Sequence, residues 1–126
     1  MAYKGIQKFP ASFIAASQLE KNLIVTLVQS TQTVALAGDN EGSPFGVITA
    51  RGAATTPFDV SVMPLSRMDG TYFVKLAGTV TKGDALICAA SGEAKVQDGS
   101  ETEIGYAREA GVDGDDIEVL EAPVLA

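Results

Sequence analysis

Val25-Thr26-Leu27-Val28, Val34-Ala35-Leu36-Ala37-Gly38-Asp39, Phe45-Gly46-Val47-Ile48 and Asp59-Val60-Ser61-Val62 follow one another in the first half of the chain. The second half runs Ala85-Leu86-Ile87-Cys88, Ala94-Lys95-Val96-Gln97-Asp98-Gly99, Ile104-Gly105-Tyr106-Ala107 and Asp116-Ile117-Glu118-Val119. Each series reads as an apolar strand, a second short strand with a Gly/Asp turn, a strand carrying Gly, and a strand that opens on Asp. The offsets are 60 residues for the first strand, 59 for the Gly motif and 57 for the Asp motif. Strands that keep their pattern while the turns between them drift are the mark of a duplicated unit. The repeated residues are strand and turn formers with nothing reactive among them. A shape has been copied, and that points to a surface that binds rather than a site that reacts.

Working outward, the remaining strands fall between Gly, Pro and Asp punctuation. The expected strands are residues 23–28, 33–37, 45–50, 58–65, 72–80, 85–90, 94–96, 103–109 and 116–120, with 72–80 the longest. Phe58, Val60 and Val62 alternate with Asp59, Ser61 and Met63, so one face of that strand is buried. Gly46 marks a bulge or a close backbone approach. Met68-Asp69-Gly70 is a hairpin signal. Val, Thr, Ile and Gly dominate and Trp is absent, which favours an all-β reading. Nine short strands in 126 residues suit a small sandwich or a partly closed barrel. The two pseudo-repeats span about 23–65 and 83–122, inside a β domain of residues 23–126.

Residues 1–22 stand apart. They carry three basic side chains against one acidic, whereas residues 23–126 carry 6 basic and 15 acidic ones. Pro10 forces the residue before it into extended backbone, so an extended arm is expected ahead of it and a short helix over 11–21. Only Phe13 and Ala16 are apolar on that helical face, beside Ser17 and Glu20. The arm either packs on its own body as an edge strand or orders against a partner. Tyr3, Lys4, Ile6, Lys8, Phe9, Phe13 and Ile14 are its candidate partner-binding residues.

Several function classes lose ground. With no His, the commonest general base is missing and so is the usual partner of a Ser or Cys nucleophile. The single cysteine, Cys88, allows no intramolecular disulfide and no Cys/His zinc site; it reads as a small buried hydrophobe. Asp113-Gly114-Asp115-Asp116 invites a calcium reading, but Ile117 occupies the fifth position and no Glu stands at the twelfth. A Gly/Asp turn fits better. The acidic body disfavours nucleic acid, whose phosphates call for basic patches. No apolar run approaches the roughly 20 residues that span a bilayer, and residues 13–16 are too short for a signal segment. No catalytic residue, metal or cofactor is expected, and the default is a soluble protein made inside the cell.

The ordered set of motifs resembles the tailed-bacteriophage capsid cement, or head decoration, proteins. The resemblance runs from about Ala15 to the end. It rests on Ala15-Ala16-Ser17-Gln18-Leu19, Thr33-Val34-Ala35-Leu36-Ala37-Gly38-Asp39 and Pro44-Phe45-Gly46-Val47. Further along it takes in Val74-Lys75-Leu76-Ala77-Gly78-Thr79-Val80 and Lys82-Gly83-Asp84-Ala85-Leu86. It closes with Ile104-Gly105-Tyr106-Ala107-Arg108-Glu109-Ala110 and Gly114-Asp115-Asp116-Ile117-Glu118-Val119-Leu120. The first dozen residues do not align with it. The resemblance implies a compact β domain, made in the host cytoplasm, that assembles as a homotrimer on the outer surface of the expanded head. It would bridge neighbouring major capsid proteins and touch neither nucleic acid nor membrane. Another virion structural β domain, of a tail tube, fibre or baseplate, is the alternative.

Overall fold

A computed structural model of the chain describes residues 11–52, 55–65 and 71–121. It is all-β. Ten strands form among the described residues: β1 (Ala11–Ala15), β2 (Ile24–Val28), β3 (Thr33–Leu36), β4 (Gly46–Ala50), β5 (Phe58–Pro64), β6 (Thr71–Lys75), β7 (Ala85–Cys88), β8 (Ala94–Val96), β9 (Gly105–Ala107) and β10 (Asp116–Glu121). A short 3-10 turn, Ala90–Gly92, joins β7 to β8. The first five strands close a barrel in the order β1-β3-β2-β4-β5, and the other five form a sheet in the order β6-β10-β9-β7-β8.

The two orders are one order. Written from β3, the first lobe runs β3-β2-β4-β5-β1; written from β8, the second runs β8-β7-β9-β10-β6. The residue pairings match as well. Val25 faces Leu36 and Gly46 in the first lobe, and Leu86 faces Val96 and Gly105 in the second. Turn backbones repeat too: Phe45 N–H donates to Val25 O at 2.8 Å, as Ile104 N–H does to Leu86 O. Asn22 and Gly83 hold positive φ at equivalent places, and so do Gln32 and Gly92.

This register corrects the sequence reading in two respects. The counterpart of Val25 is Leu86, not Ala85, so the first-strand offset is 61. The unit also extends beyond the expected repeat boundaries, because β1 and β6 hold the same place: Phe13 lies opposite Val60 and Val74 opposite Ile117. Residues 11–15 are therefore strand packed on the chain's own body, the first of the two alternatives for that segment, and not the start of a helix. β-branched and aromatic neighbours on β5 and a buried Ala15 outweigh the weak helical pattern. The expected strand 72–80 stops at Lys75, beyond which Gly78 takes a φ of 141° that an L side chain rarely adopts. The Met68-Asp69-Gly70 turn lies outside the described residues.

The lobes differ in how they close. Parallel pairing of Ile14 with Thr33 and Ala15 with Val34 seals the first barrel. In the second lobe the matching contact is one parallel bridge, Leu76 with Ala94. Lys75 N–H, the counterpart of Ile14 N–H, instead donates across the lobe boundary to Asn22 O at 2.9 Å.

Two apolar cores result. One fills the first barrel with Val25, Val34, Ile48, Val60 and Val62, flanked by Phe13 and Phe45. The other centres on Val74, Leu76, Leu86, Ile117 and Val119, yet it also takes in Ile24, Ala37 and Val47 from the outer flank of the first lobe. These three are at most 2% exposed, so the second lobe sits directly on that flank. Gly92 N–H donates to Ala37 O and Asn40 N–H to Cys88 O, each at 2.9 Å. Lys95 Nζ meets Asp39 Oδ1 at 2.6 Å. Burying a Val- or Ile-sized side chain stabilises by about 1.5–3 kcal/mol, which makes the seam a structural joint rather than a linker.

Candidate interaction surface

Of the residues singled out for partner binding, Tyr3, Lys4, Ile6, Lys8 and Phe9 lie outside the described residues. Phe13 and Ile14 are in β1, where strand alternation sends them to opposite faces. Phe13 is half-buried and packs edge-on against Phe45, with ring centroids 5.2 Å apart and an interplanar angle of 85°. Its first duty is therefore the barrel core. Ile14 is 41% exposed and remains available to a partner.

Phe13 and Ile14 also line an open groove of about 660 Å³ together with Ser12, Leu27, Gln29 and Gln32. It lies where β1 begins and where β2 turns into β3, at one end of the first barrel. Its lining carries no formal charge. Leu27 is 38% exposed, although its strand neighbour Val25 is wholly buried. The groove thus joins the exposed face of β1, which carries Ser12 and Ile14, to the exposed end of β2.

The second lobe presents a different surface. Leu120 is 46% exposed on β10 and lies opposite Tyr106 of β9. Around this apolar pair, Thr71 Oγ1 donates to Glu118 Oε2 at 2.7 Å, and Arg108 pairs with Glu118 at 3.6 Å. Tyr106 OH contacts the Glu103 carboxylate at 3.4 Å. A charged rim around a half-buried aromatic and an exposed Leu is the usual layout of a contact patch. Neither Leu27 nor Leu120 was singled out from the sequence. The signal was there: Met63 and Leu120, and Val47 and Tyr106, are apolar residues on the outward face at matching places in both repeats.

Groups with reactive potential have structural roles. Cys88 is fully buried, and burial, helped by the charge of Glu41, pushes its thiol up to about 12. It stays protonated and inert near neutrality. Asp84 accepts from Thr81 N–H and Oγ1 at 2.9 and 3.0 Å, and Asp115 accepts from Val112 N–H at 3.0 Å. Both carboxylates fasten tight turns, and Gly83 and Gly114 supply the positive φ those turns need. The Asp113–Asp116 stretch is thus the Gly/Asp turn expected ahead of the last strand. Among the described residues, no group of three His, Cys, Asp or Glu side chains is placed to hold a metal ion.

No family model matches the chain, and no curated protein matches it. Among solved structures it is similar to the head fiber gp8.5 N base of bacteriophage phi29. The TM-score is 0.72 at 20% sequence identity, over 93% of this chain and 97% of that one. At that identity the likeness is one of fold, and the fold it shares is the whole two-lobed body.

Proposed function

We propose that this chain is a structural protein of a tailed-phage virion and that it decorates the outside of the expanded head. There it bridges neighbouring major capsid proteins as a homotrimer. The observation that carries the reading is the fold shared, almost end to end, with a protein described as the base of a phage head fibre. The ordered sequence motifs of the cement proteins point the same way. A duplicated β lobe with exposed apolar residues on each copy is suited to gripping other proteins, and several copies engaged at once on a shell gain avidity. A protein that binds only the expanded shell stabilises it by mass action.

In this reading Tyr3, Lys4, Ile6, Lys8 and Phe9 contact the capsid. Each buried aromatic or Ile would contribute roughly 1.5–3 kcal/mol before ordering costs. The test is co-sedimentation of the purified protein with expanded heads of its own phage, followed by heating bare and decorated heads. Decorated heads should resist disruption at higher temperature; absence of co-sedimentation would overturn the reading. A chain lacking residues 2–10, which spares β1, should bind heads more weakly while melting at the same temperature.

A second reading makes the chain a fibre component, and the name of the similar structure favours it specifically. Imaging virions labelled through this protein separates the two: a dispersed coat on the head marks decoration, and isolated projections mark a fibre base.

A further inference from the structure

Within the chain, the second lobe grips the first through a defined set of residues, and the internal repeat carries that set into the first lobe. Phe73, Lys75, Cys88 and Gly92 lie at the joint. Their counterparts by register are Ser12, Ile14, Leu27 and Gln32. All four line the open groove of the first barrel. The receiving flank repeats as well. Ile24, Val47 and Met63, which meet the second lobe, correspond to Ala85, Tyr106 and Leu120, of which the first two are half-buried and the third is exposed. Ile24 and Val47 are at most 2% exposed, whereas Leu120 is 46% exposed. Even the backbone bond has open counterparts. Gly92 N–H donates to Ala37 O, while Gln32 N–H and Gln97 O, at the same positions of the repeat, take no backbone partner among the described residues.

We propose that the chain associates head to tail with a second copy of itself, the Ile14–Leu27 groove of one copy seating on the Tyr106–Leu120 face of the next. The contact continues the joint already present between the lobes, so the same operation that places lobe two on lobe one places the next copy's lobe one on lobe two. Charge favours this direction over back-to-back pairing. Residues 71–121 carry 11 acidic side chains against 4 basic, while residues 1–65 carry four of each sign. Two second lobes would repel one another, and a second lobe against a first would not. Such a contact is heterologous and yields a closed ring or an open filament. The proposal deepens the self-association in the virion reading and rests on it for biological setting, but the contact itself is measured without any capsid.

The test is sedimentation of the full chain over a concentration series, alone and as the variants Ile14→Glu and Leu120→Glu. Both residues are exposed, and circular dichroism checks that each variant is folded. Leu27→Glu and Tyr106→Glu probe the same two faces a second time. The wild type should associate, and each variant alone should associate at least about tenfold more weakly. An equimolar mixture of Ile14→Glu with Leu120→Glu should form a dimer that grows no further, because one intact groove meets one intact face. A wild type that stays monomeric overturns the proposal, as does a single variant that keeps full association. If the wild type is monomeric and removal of residues 2–10 makes it associate, the groove belongs to the chain's own N-terminal segment and the proposal fails. Heads that still bind in any of these cases would leave the virion reading standing.

Discussion

Gly92 lies so close to Ile24 that a Cβ added to it would sit 2.7 Å from the Ile24 carbonyl oxygen. The neighbour is backbone and cannot swing away. Gly92 also holds a φ of 76°, a conformation that costs an L side chain roughly 1–2 kcal/mol. Glycine is thus what lets the Ala90–Gly92 turn of the second lobe touch the first strand of the duplicated motif in the first.

Gly92→Ala should therefore destabilise the fold by about 2–4 kcal/mol, adding backbone strain to overpacking. Chemical denaturation checks the magnitude. A loss under about 0.5 kcal/mol would mean that the joint between the lobes has more slack than its contacts indicate.

Gly46 and Gly105 offer a paired test, since they hold the same place in the two lobes. A Cβ at Gly46 would lie 2.5 Å from Val62 Cγ1 and 2.7 Å from the Met63 carbonyl; at Gly105 it would press on the Leu120 carbonyl. Each Gly→Ala change should cost roughly 1–3 kcal/mol. The two costs should add within about 0.5 kcal/mol in the double variant, as for sites with no shared partner. Strong non-additivity would show that strain in one lobe is relieved through the other.

Tyr72→Phe removes the hydroxyl that donates to Ile104 O at 2.6 Å in the buried core of the second lobe. The carbonyl left behind keeps its burial and loses this donor, so the change should cost about 1–2 kcal/mol. Equilibrium unfolding of the variant measures it, and no change in midpoint would reassign the bond to a neutral role.

The Cys88 thiol gives a pH prediction. Its value in the folded chain, about 12, lies above the ordinary 9.0, so the folded state favours the neutral thiol. That contribution is complete below pH 9.0 and is lost as pH rises toward 12. The loss amounts to at most about 1.4 kcal/mol per pH unit. Cys88→Ala should fall less steeply over the same range, and a wild-type slope no steeper than the variant's would contradict the shift. Near neutrality the thiol should resist a thiol-specific reagent until the protein is unfolded.

Much of this architecture was legible in the chain because strand and turn chemistry is local. All nine strands expected from alternation and turn residues are present, and the face that Phe58, Val60 and Val62 bury is the one their spacing indicates. What the local pattern misjudged was residues 11–15, expected to begin a helix although an edge strand on the body stood as an alternative for the segment. Pro10 and the Ala-rich run after it resemble a helix start, and nothing local reveals that Phe13 will find Phe45 across the barrel. The signal lay in the repeat itself, for Ala11-Ser12-Phe13-Ile14-Ala15 sits 61 residues before Tyr72-Phe73-Val74-Lys75-Leu76. The candidate surface was less legible. Leu27 and Leu120 look like core residues in sequence, and only the assembled fold shows Leu27 left at one end of the first barrel and Leu120 on the outward face of the second sheet.

The unequal closure of the two lobes has a mechanical side. Two lobes joined in series each carry the whole load, so the weaker seam yields first. The first barrel is locked by a ladder; the second lobe is held by the single bridge between Leu76 and Ala94, with Lys75 leaning on the neighbouring lobe instead. Tension along the chain would therefore open the second lobe between β6 and β8 and leave the first barrel shut. A protein built this way has a preset order of failure, with one stiff half to hold its ground and one compliant half to give.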